Sequence, residues 1–375
     1  MLAAAVVSGA ADIPVAGHAA MALEPDGACA PGARLTIAAV GDLLFNGDLQ
    51  RYALEDGASY RRFWQKVEPL LRQADIAYGN LEGPLAGITS EGKLIANPSR
   101  DWRSAVYRAP PASASVNYHS SLAADLKRSG FALVSTANNH ALDRGPRGIE
   151  QTIDALDGAG LPYAGTRRRN DPQRGWSTLT RTKGFAIAWV ACSYGLNGHP
   201  DVWRQVLRCF DDRDDVLREI RRQAADPAVD AVVLLPHWGT ELDTKSGAQQ
   251  QALARDAVAA GAALIIGSHP HVVQEWQTLP RAGGTEALVI YSSGDFVSTG
   301  LMGGLRAGIV SLIELRKPPA GKAYVSAAAY VPVRMERTPA PHVVEAGASL
   351  ELPQLPRANR LTIERAQGWL GRDCR

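Results

Sequence analysis

Ile265-Ile266-Gly267-Ser268-His269-Pro270-His271 is the stretch from which the rest of the chain is read. It follows the breaker Gly261, and Ala262 to Ile266 is a short apolar run of the kind that forms a buried strand. Pro270 has no backbone N–H and a fixed φ, so a strand's ladder must stop there. Gly267 lets the backbone turn without a Cβ clash. The pattern presents His269 and His271 at a strand's end, where a rigid sheet can aim both at one point. Imidazole is the commonest metal ligand. A pair on a stiff loop suits Zn, Fe, Mn or Ni better than Ca or Mg. A solvated loop with two chance histidines is the alternative reading of this stretch alone.

The same arrangement recurs along the chain. Leu35 to Phe45 reads as a buried strand broken by Gly41-Asp42, and Ile76 to Leu85 as a strand ending in a loop with Asn80 and Glu82. Phe131 to Ser135 runs into Asn138-Asn139-His140, and Val229 to Leu235 delivers His237, Trp238 and Glu241. In α/β sheets, ligands bind outside the carboxyl ends of strands. Singly, each residue has a plain alternative. Asp42 could be a turn aspartate, Asn80 and Glu82 could cap a turn before Pro84, Asn138 and Asn139 could be left-handed loop residues, and His237 could be a satisfied half-buried histidine. Jointly, Asp42, Glu82, the Asn139 amide oxygen, His237, His269 and His271 make a mixed N/O set fit for transition-metal ions.

Helical apolar spacing marks Tyr60 to Arg72, Ser121 to Arg128, Gly148 to Gly158, Asp212 to Ala225 and Gln249 to Ala260. Gly184 to Cys192, Ala287 to Tyr291, Ala307 to Leu315 and Ala323 to Arg334 read as further strands. Strands alternating with helices and then a strand-rich end predict an α/β core with a mixed sheet or two packed sheets. Residues 1–33 form an arm without period, 34–340 one large domain, and 341–375 a Pro-rich tail with a short helix from about Leu361. The polar excursion from Gly87 to Asn117 is expected over the site. Its Lys93, Arg100, Arg103 and Arg108 suit an anionic polymer, with a solvated surface loop as the alternative.

Composition excludes several classes. The 375 residues are 46% hydrophobic and 21% charged, as in an ordinary globular protein. A net charge of +2 gives no global field for nucleic acid or membrane, and no nucleic-acid-binding pattern occurs. No run is long and apolar enough to span a bilayer. The Ala-rich start resembles the apolar and cleavage regions of a signal peptide without its positive charge, which points to export, periplasmic or cell-surface. An even count of 4 cysteines and no C-x-x-C fit disulfides of an exported protein. Cys29 is expected to pair with Cys374, and Cys192 and Cys209 either pair or remain thiols.

The order Gly-Asp, Asn-Leu-Glu, Asn-Asn-His, His-Trp-Gly-x-Glu and Gly-x-His-Pro-His resembles the CapA family of capsule and poly-γ-glutamate synthesis proteins, over roughly Arg34 to Val297. That family is similar in fold to the calcineurin-like metallophosphoesterases. The resemblance implies two packed mixed sheets flanked by helices, a four-layer sandwich, with a site for one or two divalent ions of Mn, Fe or Zn at the strand ends. It makes Asp42, Glu82, Asn139, His237, His269 and His271 the metal ligands and His140 the general acid. Asp143, three residues on, would hold that imidazole in one orientation. Arg144 would clamp an anion, and Trp238 and Glu241 would line the mouth, with Asn80 and Asn138 also facing substrate. Two positions depart from the phosphoesterase pattern. Leu44 stands where a histidine is usual, so Asn46 or Asp48 would have to substitute, and Gly294-Asp295-Phe296 stands for Gly-Asn-Phe. Two functions remain open. One is a metal-dependent hydrolase acting on a phosphoester or an anionic envelope polymer, within a possible membrane-bound synthesis complex. The other is a non-catalytic metal-binding assembly factor.

Overall fold

A computed structural model describes residues 23, 29–45, 47–54, 59–88, 115–171, 173, 175–298, 307–338, 340–347 and 350–373. The first half of the chain forms β1 (Ala33–Leu43), α1 (Gly47–Leu54), α2 (Glu68–Gln73), β2 (Ile76–Leu81), α3 (Ser121–Arg128), β3 (Phe131–Ser135), α4 (Gly145–Gly158) and β4 (Tyr163–Ala164). Next come β5 (Ser177–Thr182), β6 (Phe185–Ser193), α5 (Arg213–Ala225), β7 (Ala231–His237), α6 (Ala248–Ala259) and β8 (Leu264–Ile266). The end supplies β9 (Trp276–Pro280), β10 (Glu286–Ile290), β11 (Asp295–Val297), β12 (Ala307–Lys317), β13 (Tyr324–Glu336), β14 (His342–Glu345) and α7 (Ile363–Gly371).

The strands make two mixed sheets. One runs β14-β13-β12-β1-β2-β3-β4, with β11 beside the end of β1; the other runs β5-β6-β7-β8-β10-β9. Residue alternation in the second sheet shows the layering. Ile187, Trp189 and Ala191 of β6, with Val233, Leu235, Leu264, Ile266, Leu288 and Ile290, face the first sheet in the larger core. Ala188, Val190 and Cys192, with Val232, Leu234, Ile265 and Val289, face the other way into a core closed by Val216 and Ile220 of α5 and Leu253 and Ala257 of α6. Leu70, Leu71, Leu122, Leu126, Ile149 and Trp369 cover the first sheet from outside. The order of layers is therefore helix, sheet, sheet, helix, the two-sheet architecture that the resemblance implied.

Both sheets carry a parallel set: β1, β2, β3 and β4 in one, and β6, β7, β8 and β10 in the other. Parallel strands buried on both faces read as continuous apolar runs, which is why these were visible in the sequence. Two expectations change in detail. Tyr60 to Arg72 is not one helix: a 3-10 turn at Tyr60–Phe63 is followed by α2, because Pro69 near the start of α2 cannot continue a helix from before it. Gly41-Asp42 does not end β1 either. The strand runs to Leu43, and the interruption is an irregular register against β2 and β11.

Within 341–375, β14 pairs with β13 and the buried Trp369 of α7 packs on the larger core. Glu314 of β12 ties this end down. It accepts from Arg34 Nε at 2.6 Å, Arg316 Nε at 2.9 Å and Arg372 Nη2 at 2.8 Å. Arg34 also donates to the Trp369 and Leu370 carbonyls at the end of α7, at 3.0 Å each. Burial alone would raise the Glu314 pKa, but these guanidinium hydrogen bonds outweigh it and bring it down from 4.5 to about 2. A depressed folded-state pKa contributes stability that is present above the unfolded value and is lost as pH falls through the folded one. Glu314→Gln is therefore expected to cost up to about 3 kcal/mol at pH 7. The deficit should shrink between about pH 4.5 and 2. Urea titrations at pH 7 and pH 3 check it, and an equal deficit at both would refute the linkage.

Candidate metal centre

The carboxyl ends of the parallel strands of both sheets meet at one edge. Asp42 sits at the end of β1, paired across the ladder with Asn80 of β2 and Asp295 of β11. Asn139 and His140 follow β3, His237 closes β7, and His269 and His271 follow β8. The sheets are stitched there by polar bonds. The His269 N–H donates to Asp42 Oδ2 at 3.2 Å, and Asn80 Nδ2 lies 2.8 Å from Asp42 Oδ1 and 3.2 Å from His237 Nδ1.

The donor atoms converge. His237 Nε2 is 2.8 Å from Asn139 Oδ1 and 3.6 Å from Glu82 Oε1, while its Nδ1 is held by Ser268 Oγ at 2.9 Å. A second nitrogen fixed in this way is what orients a ligating histidine. His271 Nδ1 is 2.9 Å from Asp295 Oδ1 and 3.5 Å from Asp42 Oδ2, and its Nε2 is 3.9 Å from Glu82 Oε1. Donor atoms of Glu82, His269 and His271, of Asp42, His271 and Asp295, and of Asp42, Glu82 and His237 each lie within 4.8 Å of one another.

Electrostatics point the same way. Burial, followed by the neighbouring imidazoles, pushes His237 well below the ordinary histidine value and His269 down to about 3. Both are neutral at pH 7, the ligating form. Burial first, then Asp42, raises Glu82 well above the carboxylate range, and burial lifts Asp42 to about 6 against the pull of His271. Burial would lower His271, but Glu82, Asp295 and Asp42 together hold it well above its usual value.

Glu82 tests whether a cation fits. It is fully buried, and neither carboxylate oxygen has a hydrogen-bond partner; His269 Nδ1 is in the same position. A buried carboxylate left without donors costs several kcal/mol. A divalent cation is the partner that would remove this cost. Three carboxylates and three imidazoles fit a transition-metal ion better than Ca or Mg. The backbone is strained at the same place: His269 has φ 99° and His271 φ 58°, a region that bulky residues occupy only where the surroundings hold them.

The structure gives each expected site residue a place. Asp42, Glu82, Asn139, His237, His269 and His271 come together. His140 stands beside them with Nδ1 on Asp143 Oδ2 at 2.8 Å. Asn80 is turned to Asp42 and His237, and Asn138 donates to the Leu81 carbonyl at 2.8 Å, so both brace the β2 end rather than face substrate. Arg144 is buried and donates to Ser115 Oγ at 2.5 Å and the Asp143 carbonyl at 2.7 Å. Glu241 is exposed beyond β7. Trp238 corrects the sequence reading. It does not line the mouth but is fully buried in the outer core, its indole N–H on the Tyr291 carbonyl at 3.0 Å. An apolar ring with its one donor satisfied gains more there than in water.

Leu44 packs against the core, and its N–H donates to the Val297 carbonyl at 2.9 Å. Asn46 and the side chain of Asp48 lie outside the described residues, as do Lys93, Arg100, Arg103 and Arg108. Of the excursion only its two ends, 87–88 and 115–117, are described: the Gly87 N–H donates to Gln151 Oε1 at 2.9 Å and the Val116 N–H to Asp143 Oδ2 at 2.6 Å. Asp295 was noticed in the sequence as a departure and not as a ligand. The Gly-Asp signature it shares with Gly41-Asp42 was the available signal. The end of β6 was missed altogether. Tyr194 there lies 4.2 Å from His269, ring centroid to centroid, and Asn197 Oδ1 accepts from Asn139 Nδ2 at 3.2 Å.

Gly267 is where the turn cannot take a side chain. An added Cβ would lie 2.1 Å from the Tyr291 carbonyl oxygen and 2.6 Å from Trp238 Nε1. Gly267→Ala is expected to push the histidine turn off β10, to destabilise by about 2–3 kcal/mol and to weaken metal binding. Melting curves and metal content after dialysis check both effects; wild-type values would mean that the turn relaxes freely.

Cys192 is bonded to Cys209, and Cys29 is also in a disulfide; Cys374 lies outside the described residues. Disulfides persist in oxidising compartments. No helix among the described residues is long and apolar enough to cross a membrane.

The chain is similar to several known proteins. The chain is 28% identical over 277 residues to the capsule biosynthesis protein CapA of Bacillus anthracis, covering 70% of this chain and 60% of that protein. It is 27% identical over 270 residues to the PGA biosynthesis protein CapA of Bacillus subtilis (strain 168), covering 70% and 63%. The match thus spans less than two thirds of either relative. Among solved structures, the NAD nucleotidase NadN of Haemophilus influenzae aligns with a TM-score of 0.47 at 10% identity, over 91% of this chain and 59% of that one. The family described as bacterial capsule synthesis protein PGA_cap matches residues 36–300, and the chain belongs to that family.

Proposed function

We propose that the protein is an exported, metal-dependent hydrolase of a phosphoester or of a bond in an anionic envelope polymer such as poly-γ-glutamate, working in capsule synthesis. The observation that carries this reading is the unpartnered Glu82 carboxylate, set among imidazoles and further carboxylates with the His140–Asp143 pair beside it. Asp42, Glu82, Asn139, His237, His269, His271 and Asp295 would hold the ion or ions, which supply Lewis acidity towards a phosphoryl or acyl oxygen. Asp143 accepts from His140 Nδ1, so His140 Nε2 is the atom left to carry a proton to the leaving group. Asp42, Glu82, Asn139, His237, His269 and Asp295 are buried, which keeps bulk water from most of the donor set.

A membrane-bound synthesis complex is the partner this role implies, and the disulfides fit export. The second reading, a metal-binding assembly factor without turnover, is favoured by Leu44, which offers no ligand where a histidine is usual. Elemental analysis of the purified protein, with turnover of an aryl phosphate and of poly-γ-glutamate in added Mn, Fe or Zn, separates them. Metal with turnover supports the hydrolase; stoichiometric metal with no turnover on either substrate supports the second reading.

A further inference from the structure

The segment after β6, Tyr194-Gly195-Leu196-Asn197-Gly198-His199-Pro200, turns back over the site. Tyr194 lies against His269, and Asn197 holds the amide of Asn139. Asn197 and Gly198 have φ of 50° and 78°, and the His199 N–H donates to the Leu196 carbonyl at 2.9 Å. This left-handed turn brings His199 Nε2 to 3.6 Å from Asp143 Oδ1. That oxygen is buried and has no hydrogen bond, whereas Oδ2 takes both the Val116 N–H and His140 Nδ1. Two imidazoles thus flank one carboxylate, each on its own oxygen.

We propose that His199 is a positioning residue of this site: its Nε2–H completes Asp143 on the side away from His140, so that the carboxylate keeps the His140 ring aimed at substrate. A carboxylate bonded through one oxygen can still swing about its last torsion; a donor on the second oxygen fixes its plane. His199 is exposed over 44% of its side chain, so closing from 3.6 Å to hydrogen-bond distance needs only a rotation in solvent. The inference rests on the hydrolase reading, because a ring that only binds needs no aim.

The test is a pair of variants in the full-length, metal-loaded protein, with an aryl phosphate as the probe. His199→Ala is expected to lower kcat about tenfold, the low end for a supporting residue, with KM and metal content unchanged. His199→Gln, which keeps an N–H at similar reach, should recover most of the loss. Full kcat in the alanine variant, a change confined to KM, loss of metal, or no recovery with glutamine overturns the proposal. A measurement without turnover keeps the two readings apart. Ring 15N shifts should place the His199 proton on Nε2 in the wild type and lose that preference in Asp143→Asn. If the wild type turns over nothing, the hydrolase reading fails and the shifts alone decide His199; identical shifts in both proteins overturn its placement on Asp143.

Discussion

His271→Ala is expected to bind its metal about a hundredfold more weakly and to lose most of the metal-dependent rise in melting temperature. The reason is where the ring stands, at 2.9 Å from Asp295, 3.5 Å from Asp42 and 3.9 Å from Glu82. Without metal, those carboxylates hold His271 protonated well above its usual value, so it is their internal counter-cation. An entering ion must displace that proton. Binding should therefore release protons and tighten as pH rises, and weaken as pH falls, because Glu82, raised by burial and by Asp42, and Asp42, lifted by burial to about 6, also take protons. Calorimetry in buffers of different ionisation enthalpy measures the release. Elemental analysis after dialysis measures the loss in the variant, and wild-type retention there would remove His271 from the ligand set.

The opposite result is expected one strand away. His140→Ala should keep its metal and lose about 10²–10⁴ in kcat, the range for a general acid. His140 Nδ1 is committed to Asp143, and the ring belongs to none of the convergent donor sets. The neighbouring Asn139 points its oxygen at His237 Nε2, so adjacent side chains on this turn serve different tasks. Metal content and single-turnover rates on one preparation check the split. A variant that loses metal as His271→Ala does would place His140 among the ligands.

Much of this was legible in the sequence because buried parallel strands leave long apolar runs and their ends must carry whatever the site uses. Phe131 to Ser135 and Ser121 to Arg128 came out residue for residue. What was not legible was either polar or set by partners. β5, with Ser177, Thr178 and Thr180, and the half-exposed β9 are edge strands with no apolar run to betray them. Asp295 becomes a site residue only because β11 lies beside β1 in space. Trp238 looked like a mouth residue because it follows His237, yet neighbours on a strand point to opposite faces. His199 shows the same limit from the other side: its partner Asp143 is remote in sequence, and only the turn at Asn197-Gly198 brings them together.

The site draws one group of ligands from each sheet, from residue 42 at one end of the chain's core to residue 295 near the other. No half of the molecule can assemble it alone, and its closure needs contacts distant in sequence, which are slow to form. Uptake of the ion is therefore expected as the last event of maturation, after both sheets have docked. A cell that exports this chain unfolded would load it only on the far side of the membrane, with whichever ion that compartment supplies. The fraction of molecules carrying metal then reports how many have finished folding.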